Sequence, residues 1–197
     1  ATPMLANPAA RAHSLMARPN FERSIPMDSR TVFLAEPEDT RRLGATITHA
    51  IEPGWIVTLL GGLGAGKTTL VQGLLAEMGE RGRVRSPTFT IVESYSPAGM
   101  EIHHLDLYRF QAPTDWIDAG LDDLINGRSI LLIEWPEQGG TFVPATDLKI
   151  ELAICDVGRL ATLSACSPRA QKGLDSLGMA AENSANSANA ANRDPGP

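Results

Sequence analysis

Residues 61–69 read Gly61-Gly62-Leu63-Gly64-Ala65-Gly66-Lys67-Thr68-Thr69: a glycine, four residues, then Gly-Lys-Thr. Glycines let the backbone curl until successive N–H groups converge on phosphate oxygens. Lys67 then reaches the outer phosphates as a point charge, and the Thr68 hydroxyl is placed for Mg²⁺. Such a loop needs a buried strand before it and a helix after it, whose positive N-terminal end adds to the attraction. Both are legible. Trp55-Ile56-Val57-Thr58-Leu59-Leu60 is an apolar, β-prone run. Beyond the loop, Leu70, Leu74, Leu75 and Met78 recur at helical spacing, and Gly79 stands where that helix should stop. Strand, loop and helix in this order predict a nucleotide-binding α/β domain.

The 197 residues suit one such domain with room for extensions, and 43% hydrophobic content is ample for its core. No apolar run approaches the length of a membrane span. Arg11, His13, Arg18, Asn20, Glu22 and Arg23 interrupt any secretory signal, so a cytoplasmic location is expected. Cys155 and Cys166 lack metal-type partners, and buried thiols in a reducing cytosol are favoured over a disulfide. A net charge of −6 argues against a large nucleic-acid-binding face, while leaving room for a local basic patch.

Composition divides the chain into three. Residues 1–29 carry Pro3, Pro8, Pro19 and Pro26 with little periodicity and read as a flexible extension. Residues 30–166 form the domain. Residues 167–197 have no aromatics, and Asn183, Asn186, Asn189 and Asn192 recur among Ala and Ser. That low-complexity composition predicts a disordered tail. Within the domain, strands are predicted at 31–34, 90–95, 100–107, 129–134, 148–155 and 159–166. Helices are predicted at 37–51 and, weakly and broken at Gly120, at 114–126.

Two strands deliver acids at their C-terminal ends, the edge where ligands bind in open α/β sheets. Glu134, ending an apolar run, is the stronger metal acid. Asp106, ending the more polar Ile102-His103-His104-Leu105, is the better candidate to position water. Neighbouring strand residues face opposite ways, so one of the two histidines should be buried or at the site edge and the other exposed. No ligand cluster accompanies them for a transition metal. The guanine-reading Asn-Lys-x-Asp motif is absent. So are the Leu-Ser-Gly-Gly-Gln signature and an Arg-rich lid, which weakens the alternative of a small-molecule kinase without removing it.

Four motifs in order resemble one family: the loop at 61–69, Ser86-Pro87-Thr88-Phe89, His104-Leu105-Asp106-Leu107-Tyr108-Arg109 and Glu134-Trp135-Pro136-Glu137. Over roughly residues 31–164 the chain is similar to the bacterial TsaE (formerly YjeE) family. The resemblance implies a small P-loop ATPase with a mixed sheet. Its ATP hydrolysis would support the TsaB–TsaD complex, which transfers threonylcarbamoyl to adenosine 37 of tRNAs reading codons that begin with A. It implies Thr68 and Glu134 as Mg²⁺ ligands, with Asp106, Lys67 and Thr88 catalytic, Thr88 in a switch loop near the terminal phosphate. Trp135 is expected to matter for activity. Gly61, Leu63, Gly64, Ala65, Gly66, Lys67, Thr68 and Thr69 would hold ATP, with Asp106, Glu137, Gly158 and Pro37 also near the nucleotide. Direct tRNA contact and a membrane role are not implied. The chain departs from the family at Gly62, usually Asp, and at Pro37, usually more polar.

Overall fold

The computed structural model describes residues 25–82, 84–87 and 89–178. In chain order its elements are β1 (Asp28–Leu34), α1 (Pro37–Ile47), β2 (Ile56–Leu60), α2 (Lys67–Glu77), β3 (Val92–Tyr95), β4 (Ile102–Asp106) and α3 (Asp115–Asp118). They continue with β5 (Ile130–Glu134), α4 (Pro136–Gly139), β6 (Leu148–Ile154), β7 (Arg159–Ala165) and α5 (Pro168–Ser176). The strands lie in one sheet in the order β1-β7-β6-β2-β5-β4-β3. The central four, β6, β2, β5 and β4, run parallel, and antiparallel pairings add β7 and β1 on one side and β3 on the other. The sheet is therefore mixed, as expected.

Central parallel strands are covered on both faces, which is why β5 is apolar at four successive positions, Ile130 to Ile133. One face packs Val57, Leu59, Leu132, Ile150 and Leu163 against Leu43 and Ile47 of α1 and Val71, Leu74 and Leu75 of α2, with Trp55 in the same core. The other packs Ile56, Leu131, Ile133 and Leu105 under Phe110, Trp116, Leu121 and Val143. Helices α1 and α2 touch backbone to backbone. A Cβ on Gly44 would stand 2.1 Å from the Leu70 carbonyl oxygen, and one on Gly73 would stand 2.0 Å from that of Arg41. Among the described residues no helix is long and apolar enough to cross a membrane.

Most strand ends move by one or two residues from expectation, and three differences go further. Helix α1 ends at Ile47 rather than 51, because Thr48, His49 and Ala50 donate three residues back and tighten the last turn. Strand β1 begins at Asp28, and Arg30 on it is buried, donating to the Leu174 carbonyl and to Asp175.

The third difference is a correction: residues 168–176 of the tail predicted to be disordered form helix α5. Ser167 accepts from the Ala170 N–H at 3.3 Å, Pro168 occupies the first turn, and Ala170 and Leu174, one turn apart, are buried. Arg169 pairs with Asp147. The Asn-rich composition further along had concealed a short amphipathic helix. Residues 1–24 and 179–197, to which the remaining expectations of flexibility apply, lie outside the described residues.

Candidate active site

Strand β2 ends at Leu60, and the chain reverses through Gly61 (φ 135°), Gly64 (φ 78°) and Gly66 (φ 105°) before α2 starts at Lys67. Positive φ at these three positions is what glycine supplies. At Gly61 space forbids anything larger as well, since a Cβ would lie 2.4 Å from the Leu152 carbonyl oxygen. Gly62, by contrast, has nothing within 4 Å of its Cβ position, so the family's Asp would fit there.

The two acids stand side by side. Asp106 and Glu134 are register partners across β4 and β5, and Leu59 flanks Glu134 from β2. Both carboxylates are buried. Thr68 Oγ1 donates to Glu134 Oε1 at 3.0 Å. Asp106 Oδ1 accepts the Tyr108 N–H at 3.0 Å, and its Oδ2 accepts from Ser86 Oγ at 3.4 Å.

Lys67 is buried, with Nζ donating to the Gly61 and Gly62 carbonyls at 2.7 and 3.1 Å and standing 4.2 Å above the Trp135 ring. Burial lowers its pKa from 10.5, opposed by the charges of Glu134, Asp106 and Glu137. Trp135 adopts a left-handed backbone (φ 57°) directly after Glu134, and its ring lies 5.1 Å from that of Tyr108. Leu63, Thr68, Asp106, Glu134 and Trp135 line a cleft of about 270 Å³, with Thr69 on its wall.

The more distant expected residues lie on separate segments. Gly158 (φ 74°) packs so tightly that a Cβ would lie 2.5 Å from the Leu34 carbonyl oxygen and 3.0 Å from the Ala35 Cα, just before Pro37. The next residue, Arg159, donates from Nη1 to the Ala65 carbonyl at 2.7 Å. Glu137 is exposed in the first turn of α4. Thr88 lies outside the described residues, between Pro87 and an exposed Phe89 whose ring faces the Arg109 guanidinium at 4.6 Å.

The expectation for the histidine pair needs correcting, because both are buried. They do face opposite ways. His103 Nδ1 meets Ser94 Oγ at 2.8 Å, while His104 Nε2 lies 2.9 Å from Glu134 Oε1. The sheet is covered on both faces here, so neither side of β4 reaches water. Sequence reasoning missed the contacts of His104 and Arg159; the alternation of His104 and Asp106 along one strand face was the available signal for the first. Both cysteines are free and half-buried.

A glycine loop between a buried strand and a helix, facing two acids at the ends of adjacent parallel strands, defines an α/β protein of the P-loop NTPase-like class. Residues 34–159 match the family model described as threonylcarbamoyl adenosine biosynthesis protein TsaE, and the chain belongs to that family. It is similar to the tRNA threonylcarbamoyladenosine biosynthesis protein TsaE of Haemophilus influenzae, 38% identical over 138 residues, covering 68% of this chain and 87% of that protein. The Bacillus subtilis protein of the same name is 37% identical over 99 residues, covering 50% and 61%. The crystal structure of Bacillus subtilis YdiB superposes with a TM-score of 0.63 at 26% identity, covering 77% of this chain and 95% of that one.

Proposed function

We propose that the protein is a Mg²⁺-dependent ATPase of tRNA threonylcarbamoyladenosine biosynthesis, working in the cytoplasm on the TsaB–TsaD complex and meeting tRNA only through it. The observation carrying the ATPase reading is the Thr68–Glu134 contact at 3.0 Å beside the Lys67 ammonium. A hydroxyl and a carboxylate are hard oxygen donors of the kind Mg²⁺ takes, with substrate phosphates and waters completing its shell. The residues present therefore fit the ion. Held by Thr68 and Glu134, Mg²⁺ would supply neutralisation of the charge that develops during phosphoryl transfer.

The remaining work falls to the chain. Lys67 gives up the Gly61 and Gly62 carbonyls for the outer phosphate oxygens. N–H groups from Leu63 to Thr69 cradle the phosphates, and the start of α2 supplies its positive end. Asp106, anchored by Tyr108 and Ser86, orients the attacking water, and Thr88 approaches the terminal phosphate. Pro37, Gly158 and Glu137 flank the nucleotide.

Isolated protein is expected to release ADP and free phosphate slowly and only with Mg²⁺, since no described lid excludes water from the cleft. It is expected to associate with TsaB–TsaD when ATP is present. No association in any nucleotide state, together with no support for repeated rounds of tRNA modification, would overturn the proposal. A phosphorylated metabolite as product would identify a kinase instead.

A further inference from the structure

Glu134 is gripped from two sides, and only one grip belongs to the glycine loop. Its Oε1 accepts from Thr68 Oγ1 at 3.0 Å and stands 2.9 Å from His104 Nε2. His104 sits on β4 one pleat below Asp106, the register partner of Glu134, and so reaches the carboxylate diagonally across the parallel pair. Its imidazole is inaccessible to solvent. A ring N–H donates and a carboxylate oxygen accepts, so the contact reads as Nε2–H to Oε1. His104 Nδ1 is buried and has no hydrogen-bond partner among the described residues. An orphaned buried N–H is rarer in folded proteins than an underused acceptor. The geometry therefore places an N–H on Nε2, committed to Glu134.

We propose that His104 is a positioning residue for the metal carboxylate, an inference that rests on the Mg²⁺·nucleotide reading above. Thr68 and Glu134 are both assigned to the ion, so the contact between them is remade around it when the site fills. Of the two donors to Oε1, His104 is the one that takes no part in coordination. It holds the Glu134 side chain in the same orientation in both states. Without it the carboxylate must be ordered at the moment of binding, and Mg²⁺ affinity falls. Partners of this kind typically change metal affinity 10–100-fold.

The test uses the full chain and a fluorescent ADP analogue, so that nothing depends on turnover. Binding of the analogue is titrated with Mg²⁺, and its affinity in EDTA is the reference. His104→Leu keeps an apolar group in place and removes the donor, whereas His104→Gln returns an N–H near the position of Nε2. The expected result is a Mg²⁺ half-saturation raised about tenfold or more in His104→Leu. EDTA affinity should be unchanged in that variant, and the Mg²⁺ midpoint should be largely restored in His104→Gln. Equal shifts in both variants, an unshifted His104→Leu, or a matching loss of affinity in EDTA would each overturn the inference.

If His104→Leu does not fold, His104→Asn replaces it, because its shorter amide reaches the Nδ1 position and not Nε2. The Gln variant must then still bind Mg²⁺ more tightly than the Asn variant. Wild-type binding that ignores Mg²⁺ would overturn the metal reading and this inference together; a Mg²⁺-dependent wild type beside an unshifted leucine variant would overturn this inference alone.

Discussion

Cutting the chain after Cys166 removes α5, and the structure sets the scale of the loss. Leu174 is 1% exposed, and truncating a buried leucine to alanine costs about 3 kcal/mol. Arg169 holds Asp147, whose Oδ2 also accepts the Ile56 N–H at 3.0 Å where β2 begins. Removing the guanidinium leaves a buried carboxylate without its counter-charge, with the Ile56 N–H still donating to it. Arg169 is itself 43% exposed, so screening brings the cost down to about 2 kcal/mol. Together these reach about 5 kcal/mol, the lower end of the whole stability of an ordinary domain. A chain ending at 166 should therefore be largely unfolded or melt far lower, whereas one ending at 178 should match the full chain. Leu174→Ala alone should lower Tm by roughly 6–12 °C.

The Asp147 share carries a pH signature. Burial pushes its carboxyl up, but hydrogen bonds from Arg169, Ile56 and Ser167 outweigh burial and hold the pKa below 3.8. A depressed acid stabilises the fold above its unfolded value and loses that contribution as pH falls through the folded one. The gap between wild type and Arg169→Met should be full at neutral pH and close below about pH 3.8. Urea unfolding followed by circular dichroism reads both effects. Equal midpoints for the full chain and the chain ending at 166 would refute the claim that α5 is part of the core.

Outcomes for four further variants are expected. Lys67→Ala should nearly abolish hydrolysis with Tm retained. In the same assays Glu134→Ala should need more Mg²⁺, and Asp106→Ala should lose hydrolysis more than ATP binding; normal Mg·ATP binding and turnover in both would remove their assigned roles. Gly73→Ala drives a methyl group to 2.0 Å from the Arg41 carbonyl and should cost about 1–3 kcal/mol by thermal denaturation, despite alanine's better helix propensity. A neutral or stabilising result would show that α1 and α2 can separate freely.

The strand, loop and helix around Lys67 were legible because their chemistry is local: a glycine pattern bounded by two hydrophobic periodicities. Asp106 and Glu134 were legible as acids at strand ends, but only the β4–β5 register shows them side by side. Helix α5 was not, because what fixes it lies far away in the chain: Arg169 on Asp147, and Arg30 on the Leu174 carbonyl. Burial of both His103 and His104 escaped a strand-alternation argument for a related reason. Alternation says which residues share a face, and only tertiary packing says whether that face is covered.

Trp135 has an optical consequence. The chain has three tryptophans, and the fold gives each its own compartment. Trp55 is sealed in the core that α1, α2 and α5 cover, Trp116 in the core on the opposite face, and half-buried Trp135 in the cleft with an ammonium above its ring. When Lys67 turns toward phosphate, the indole whose surroundings change most directly is Trp135. With Trp135→Phe as the blank, emission from the unlabelled protein becomes a built-in gauge of nucleotide occupancy, while the other two indoles report each half of the core as it melts.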